Sequence, residues 1–312
     1  MAKIVTLTPN PSVDVSTSIE NVVPTLKLRC RSQRRDPGGG GVNVARVVKR
    51  LGGDVEAILP VGGFTGQMLR RLIDDEGIPT RLVEVEAETR EDFFVSELNT
   101  RAQYRFILPG LPLREPEWRE CLSALAATLP PPRFVVGSGS LPPGVPTDFY
   151  AQAATIARRL GAKFLLDTSG IPLATAVERG VHLFKPNLHE MSELTGSELA
   201  TQEDWLLMAR ALIDKGKAEI IALSLGHLGA MLVTRHQTLR ARALPIAPIS
   251  AVGAGDSFLG ALVFGLANEA TLPDAFRLAV AAGAAALINE GTELCRPADA
   301  YALAAEVKIE TI

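Results

Sequence analysis

Residues 42–59, VNVARVVKRLGGDVEAIL, decide the fold: a helical pattern runs from Val42 to Leu51, and a short β-branched and apolar run follows from Val55 to Leu59. The same alternation begins before it, at Ile4 to Leu7, and continues after it, at Gly66 to Glu76. Strands alternating with helices mark βαβ units and a parallel sheet. The rhythm resumes after residue 115, with candidate strands at Phe134 to Val136, Phe164 to Leu166, Leu183 to Lys185 and Ile220 to Ser224. Met231 to Val233 and Leu239 to Ala243 read as two more strands joined by a polar turn, which predicts an antiparallel edge. Three helical stretches then close the chain. The class is α/β, a mostly parallel central sheet flanked by helices.

Two segments break this rhythm, residues 12–36 and 88–108. In the second, Phe94, Val95, Leu98, Tyr104, Phe106 and Leu108 flank a polar turn at Asn99 and Thr100, which predicts a hairpin with one apolar face. The first segment is expected to pair with it. A small sheet cannot bury such a face alone, so it should lie as a lid over a ligand cleft or against a second copy of the chain. No linker divides the 312 residues, so residues 1–312 read as one domain carrying that lid.

Thirty-two Lys and Arg balance 35 Asp and Glu, a net charge of −3, so no basic field exists to hold nucleic acid or an anionic membrane. Cys30, Cys121 and Cys295 form no C-x-x-C pair, which argues against a disulfide framework and a zinc site and for a reducing cytoplasm. The apolar stretch after Lys3 ends at Pro9, too soon for a signal peptide. Leu278 to Ile288 falls well short of the roughly 20 residues that span a bilayer and reads as a buried helix.

The sharpest chemical signal is Gly253-Ala254-Gly255-Asp256, ahead of the apolar stretch Leu259 to Leu266. Glycines opening a helix bring backbone N–H groups and the positive helix end toward one point, an anion cradle. Asp256 stands there as a candidate base for a hydroxyl attacking phosphorus; a plain N-cap or a dinucleotide fold is the competing reading. A second cluster, Asp36 to Arg46, holds four glycines, Gly38 to Gly41, that permit close approach by a ligand. Asn43 on the following helix and Asp14 near the first strand's exit are candidates for sugar hydroxyls, against a capped flexible turn. A third, Lys185-Pro186-Asn187-Leu188-His189-Glu190, places Asn187 and Glu190 on one side of a first helical turn. They suit a hydrated Mg²⁺ or, equally, a capping box. Ser224 to Gly229 is a strand-end turn suited to pass around a nucleotide. No P-loop or protein-kinase motif is present, and the four histidines lack metal spacing.

Taken in order, the glycine run with Asn43, the Gly139-Ser140-Leu141-Pro142-Pro143-Gly144 turn, Lys185-Pro186-Asn187, Ser224-Leu225-Gly226 and Gly253-Ala254-Gly255-Asp256 resemble the ribokinase-like (PfkB) carbohydrate kinases. Thr6-Leu7-Thr8, Lys27-Leu28-Arg29-Cys30 and Gln103-Tyr104-Arg105-Phe106 add to the resemblance, which covers nearly the whole chain. It implies ATP-dependent phosphorylation of fructose 6-phosphate at the 1-hydroxyl, with tagatose 6-phosphate or fructose 1-phosphate as alternative acceptors. Glycine at position 40, where related tagatose-6-phosphate and fructose-1-phosphate kinases usually carry lysine, favours fructose 6-phosphate. A nicotinamide-dependent dehydrogenase and a regulator that has lost catalysis are the competing readings from other classes.

The resemblance also implies roles. Asp256 would be the base, with the amides of Ala254, Gly255 and Asp256 around the moving phosphoryl group and Gly253 opening their cradle. Asp14, Gly38, Gly39, Asn43 and Ser140 would hold the sugar, and Lys27, Arg29, Arg90 and Arg105 its phosphate. Lys185, Asn187, Ser224, Gly226 and Gly229 would line the ATP site, and Glu190 would hold Mg²⁺ through water. Ser250, Val252, Ala286, Asn289 and Gly291 would surround a potassium-like cation, although Glu293 stands where an arginine is expected. A homodimer through the lid is implied, with Lys27 serving the neighbour's site.

Overall fold

The computed structural model describes residues 3–31 and 33–312. Its first part runs β1 (Ile4–Leu7), β2 (Ser12–Ile19), β3 (Gln33–Gly38), α1 (Gly40–Arg50), β4 (Val55–Val61), α2 (Gly63–Asp75), β5 (Thr80–Glu84), β6 (Arg90–Glu97) and β7 (Gln103–Phe106). Next come α3 (Glu115–Ala126), β8 (Phe134–Ser138), α4 (Phe149–Arg159), β9 (Lys163–Asp167), α5 (Gly170–Glu178), β10 (Val181–Phe184), α6 (Leu188–Thr195) and α7 (Gln202–Asp214). The rest is β11 (Ala218–Ser224), β12 (Ala230–Thr234), β13 (Thr238–Ala241), α8 (Ala254–Ala267), α9 (Leu272–Leu287), α10 (Pro297–Ala304) and β14 (Ile309–Thr311).

The main sheet has the order β14-β13-β12-β11-β10-β9-β8-β1-β4-β5. Pairing is parallel from β11 through to β5 and antiparallel across β12, β13 and β14, the expected edge. Helices cover both faces, which is why the central strands are apolar without alternation. Val5, Leu7 and Val135 pack with α3, α4, α5 and α7, whereas Ile4, Phe134 and Val136 pack with α1, α8 and α9. The run at 278–288 is buried as expected, but its helix begins earlier, at Leu272. A Cβ on Gly265 would come within 2.8 Å of Ala275, so small residues are what let α8 and α9 lie this close.

The chain does not end on three helices; β14 follows α10 and pairs with β13. From β1 the chain reaches β4 on one side, while β8 flanks the other. That reversal opens a crevice at the carboxyl ends of the strands, where ligands of α/β sheets sit. No described helix is long and apolar enough to cross a membrane.

The two irregular segments form a four-stranded sheet, β3-β2-β6-β7, with β2 parallel to β6 and the other pairs antiparallel. Its register sets Asp14 beside Asp36 and Asp92, and Phe94 beside Arg105. This face looks onto the main body: Thr292 Oγ1 donates to Asp36 at 2.7 Å, and Gln103 Nε2 donates to Ser250 Oγ at 3.0 Å. The expected apolar face is there, carried by Val95, Tyr104 and Phe106, but Phe94 is not part of it. Period-two alternation puts Phe94, 3% exposed, on this inner side, while Phe93 and its partner Phe106 stand outside, 39% and 55% exposed.

Candidate active site

The loop before α8 turns left-handed at Gly253 (φ 72°), where a Cβ would also strike Leu294, so glycine is required to start the helix there. Ala254, Gly255 and Asp256 then form a first helical turn whose N–H groups have no carbonyl within the helix. Asn43, on the first turn of α1, donates from Nδ2 to Asp256 Oδ2 at 2.9 Å. Its own carbonyl oxygen accepts from Arg46 Nη1 at 3.3 Å, which fixes which end of the amide meets the carboxylate. Removal from water, reinforced by Asp167, pushes Asp256 up from 3.8 to about 6, against Asn43, Lys185 and Arg105. Lys185 ion-pairs with Asp167 at 3.1 Å, and a Cβ on Gly255 would lie 3.3 Å from its Nζ. Burial works against the ammonium, yet Asp167 and Asp256 hold its pKa above the ordinary value. Asp256, Asn43, Lys185, Asp167 and the open helix turn therefore share one corner.

The glycine run is filled mostly by the protein itself. A Cβ on Gly38 would overlap Asp14 Oδ1 at 2.0 Å, one on Gly40 would meet Ser138 Oγ at 2.3 Å, and one on Gly41 would meet Thr8 Oγ1 at 2.4 Å. Gly39 is held at φ 100°. The run thus docks the start of α1 against β1, β2 and β8. Asp14, 5% exposed, accepts from Ser12 Oγ at 2.6 Å, and burial drives it from 3.8 to about 7, with Asp92 adding to the effect and Ser12, Arg90 and Arg46 opposing it. Ser140 accepts from Asn10 Nδ2 at 3.2 Å.

The four cations assigned to the sugar phosphate differ. Arg105 is exposed, lies over the Phe94 ring at 5.8 Å, and is close enough to favour ionised Asp256. Arg90 is buried against Asp92, at 2.6 and 2.7 Å, and also donates to the carbonyls of Leu108 and Asn10. Lys27 and Arg29 are exposed in the irregular stretch between β2 and β3, and among the described residues no contact joins them to the Asp256 corner.

On the other side, Lys185, Asn187 and Ser224 follow the carboxyl ends of β10 and β11. Asn187 bridges to Ser224, whose N–H donates to Pro186 O at 2.9 Å. Asn187 and Glu190 do form a capping box: Asn187 Oδ1 accepts from the Glu190 N–H, and Glu190 Oε2 accepts from the Asn187 N–H, each at 2.9 Å. Burial raises the Glu190 pKa, Asp167 adds to it, and the second carboxylate oxygen remains for a hydrated cation. Gly226 and Gly229 both have left-handed φ, 57° and 98°, in the turn that follows. At the lid side, Ser250 donates to the Gly291 carbonyl at 2.7 Å and receives the Val252 N–H at 3.2 Å. Buried Asn289 donates to the carbonyls of Ala285 and Leu294, and Ala286 O is spent on the Asn289 N–H. Neutral oxygens of this kind suit a monovalent cation, and Glu293 ion-pairs with Arg34 and Arg296.

Asp167 and Asn10 are site neighbours that the sequence reading passed over. Asp167 ends one buried parallel strand, in Leu165-Leu166-Asp167, and Asn10 follows another, in Leu7-Thr8-Pro9-Asn10; a polar residue at such an exit was the available signal.

The family described as pfkB family carbohydrate kinase matches residues 10–299. A Mycobacterium tuberculosis protein named ATP-dependent 6-phosphofructokinase isozyme 2 is 46% identical over 307 residues, 97% of this chain and 90% of that protein. A Xanthomonas campestris 1-phosphofructokinase is 35% identical over 282 residues, 89% of this chain and 88% of that one. Crystalline phosphofructokinase-2 from Escherichia coli, in complex with fructose-6-phosphate, superposes with a TM-score of 0.92 at 37% identity, across 98% of this chain and 99% of that one.

Proposed function

Because the chain belongs to the pfkB family of carbohydrate kinases, we propose that it transfers the γ-phosphoryl group of ATP to the 1-hydroxyl of fructose 6-phosphate. The observation that carries this is Asp256, held by Asn43 at the open head of α8 with its pKa raised to about 6. A carboxylate made more basic by burial accepts the hydroxyl proton as that oxygen attacks phosphorus. The N–H groups of Ala254, Gly255 and Asp256, in the cradle that Gly253 opens and with Lys185 beside them, meet the negative charge on the transferring group. Asp14, Gly38, Gly39, Asn43 and Ser140 border the sugar. Arg105 supplies an exposed charge for the 6-phosphate, Arg90 a fixed one at its base, and Lys27 and Arg29 come from the lid of this copy or its neighbour.

Lys185, Asn187, Ser224, Gly226 and Gly229 receive ATP. Glu190 and Asp167 fit a hydrated Mg²⁺, which when bound neutralises charge between the phosphates. The oxygens around Ser250, Val252, Ala286, Asn289 and Gly291 fit a potassium-like cation. The chain works as one kinase domain, its small sheet serving as the lid and the exposed Phe93 and Phe106 face pairing two copies into a homodimer. Three free thiols support a reducing cytoplasm.

ADP release measured with purified fructose 6-phosphate, tagatose 6-phosphate and fructose 1-phosphate tests this reading, with the highest kcat/KM expected for the first. A higher value for either of the others reassigns the acceptor, and turnover with none of them overturns the kinase reading.

A further inference from the structure

An open cleft of about 740 Å³ lies away from Asp256, at the opposite, amino-terminal ends of β9, β10 and β11. Its volume lies within the range of small-molecule sites, roughly 300–1,000 Å³. Four cations from four different places converge on it: Arg158 at the end of α4, Lys163 opening β9, Arg179 capping α5, and Arg235 in the turn between β12 and β13. Among the described residues none of the four forms an ion pair. The one carboxylate lining the cleft, Glu219, lies 3.0 Å from His182 Nδ1 and leaves the four cations in excess.

Helix C-termini attract arginine, and Arg158 does donate to the carbonyls of Arg179 and Gly180 at 3.3 and 3.2 Å. That accounts for Arg158 and Arg179 but not for Lys163 or Arg235, which stand at no helix end. In a chain of net charge −3, an uncompensated cluster of this size is a local exception. Arginine forks match phosphate oxygens, while Phe164, Val181 and Ile220 offer an apolar wall for an attached organic body. We propose that this cleft is a second ligand site, for an organic phosphate, remote from the proposed catalytic corner and independent of it.

The test is calorimetric titration of the full chain while excess fructose 6-phosphate and ADP keep the catalytic corner filled. The probes are AMP, ribose 5-phosphate and inorganic pyrophosphate, which separate a nucleotide, a sugar phosphate and a bare polyanion. AMP or ribose 5-phosphate should bind. Arg158→Glu/Arg179→Glu and, separately, Lys163→Glu/Arg235→Glu should each weaken that binding about tenfold or more, because charged hydrogen bonds are lost. The kcat with fructose 6-phosphate should hold in both variants, and Tm in Lys163→Glu/Arg235→Glu, whose residues cap no helix. Three results would overturn the proposal: no heat from either organic probe up to about 1 mM, binding of pyrophosphate alone, or binding that both variants leave unchanged.

Discussion

Replacing Asp14 by Asn should make the protein more stable at neutral pH while impairing sugar binding. Asp14 is 5% exposed, and its carboxyl is displaced from 3.8 to about 7, chiefly by burial, with Asp92 beside it. An unfolded chain releases this proton near the ordinary value, whereas the folded chain keeps it until about pH 7. Between those limits the native state binds more protons, so stability falls as pH rises. At about 1.36 kcal/mol per pKa unit, the span caps the loss near 4 kcal/mol, and Asn, which carries no charge, should recover about 2–4 kcal/mol of it above pH ~7. Ser12 can still donate to the amide oxygen.

Urea unfolding followed by the fluorescence of Trp118 and Trp205 measures the difference between the two proteins at each pH, which cancels the other carboxylates. That difference should be near zero at about pH 4 and should open in favour of Asn through about pH 7. A difference independent of pH, or a variant less stable than the parent at about pH 8, would refute the account of Asp14 as a buried group resisting ionisation.

Asp256→Asn should lower kcat by about 10²- to 10⁴-fold with ATP affinity kept, as steady-state rates and equilibrium binding will show; a near-normal kcat rejects the base assignment. Protonation of Asp256 removes the acceptor, so kcat/KM should fall as pH drops through about 6. Asp14 adds a step near 7, which Asp14→Asn should abolish from the same profile. Gly38→Ala places a Cβ 2.0 Å from Asp14 Oδ1 and 2.5 Å from Ser12 Oγ. It should raise KM for the sugar phosphate about tenfold or more while KM for ATP changes little, by displacing a binding group rather than the ATP side.

The parallel sheet was legible because strands covered on both faces must be apolar along their whole length, as in β1, β8 and β9. β5 and β14 were not. Only Val83 is buried in β5, and β14 is three residues on an exposed edge, so neither carries a hydrophobic pattern. The lid hairpin was visible from its polar turn, but counting Phe94 with Phe106 overlooked that β6 and β7 pair Phe94 with Arg105. Asp256 and Asn43 could be picked out because each opens a helix behind glycines. That they touch is a tertiary fact, and so is the occupation of Asp36 by Arg34, Arg46 and Thr292. Asp167 gave only the signal of a polar residue ending a buried strand, and its effect on Asp256 depends on the fold bringing the end of β9 near the head of α8.

The Asn43–Asp256 contact joins positions 213 residues apart. At about 5–20 residues per second, a ribosome emits the first partner roughly 10–40 s before the second. Through that interval the growing polypeptide carries Asn43 without the carboxylate that its amide will hold. Nascent chains that stop short of residue 256 therefore lack this carboxylate, however much of the sheet they have already formed.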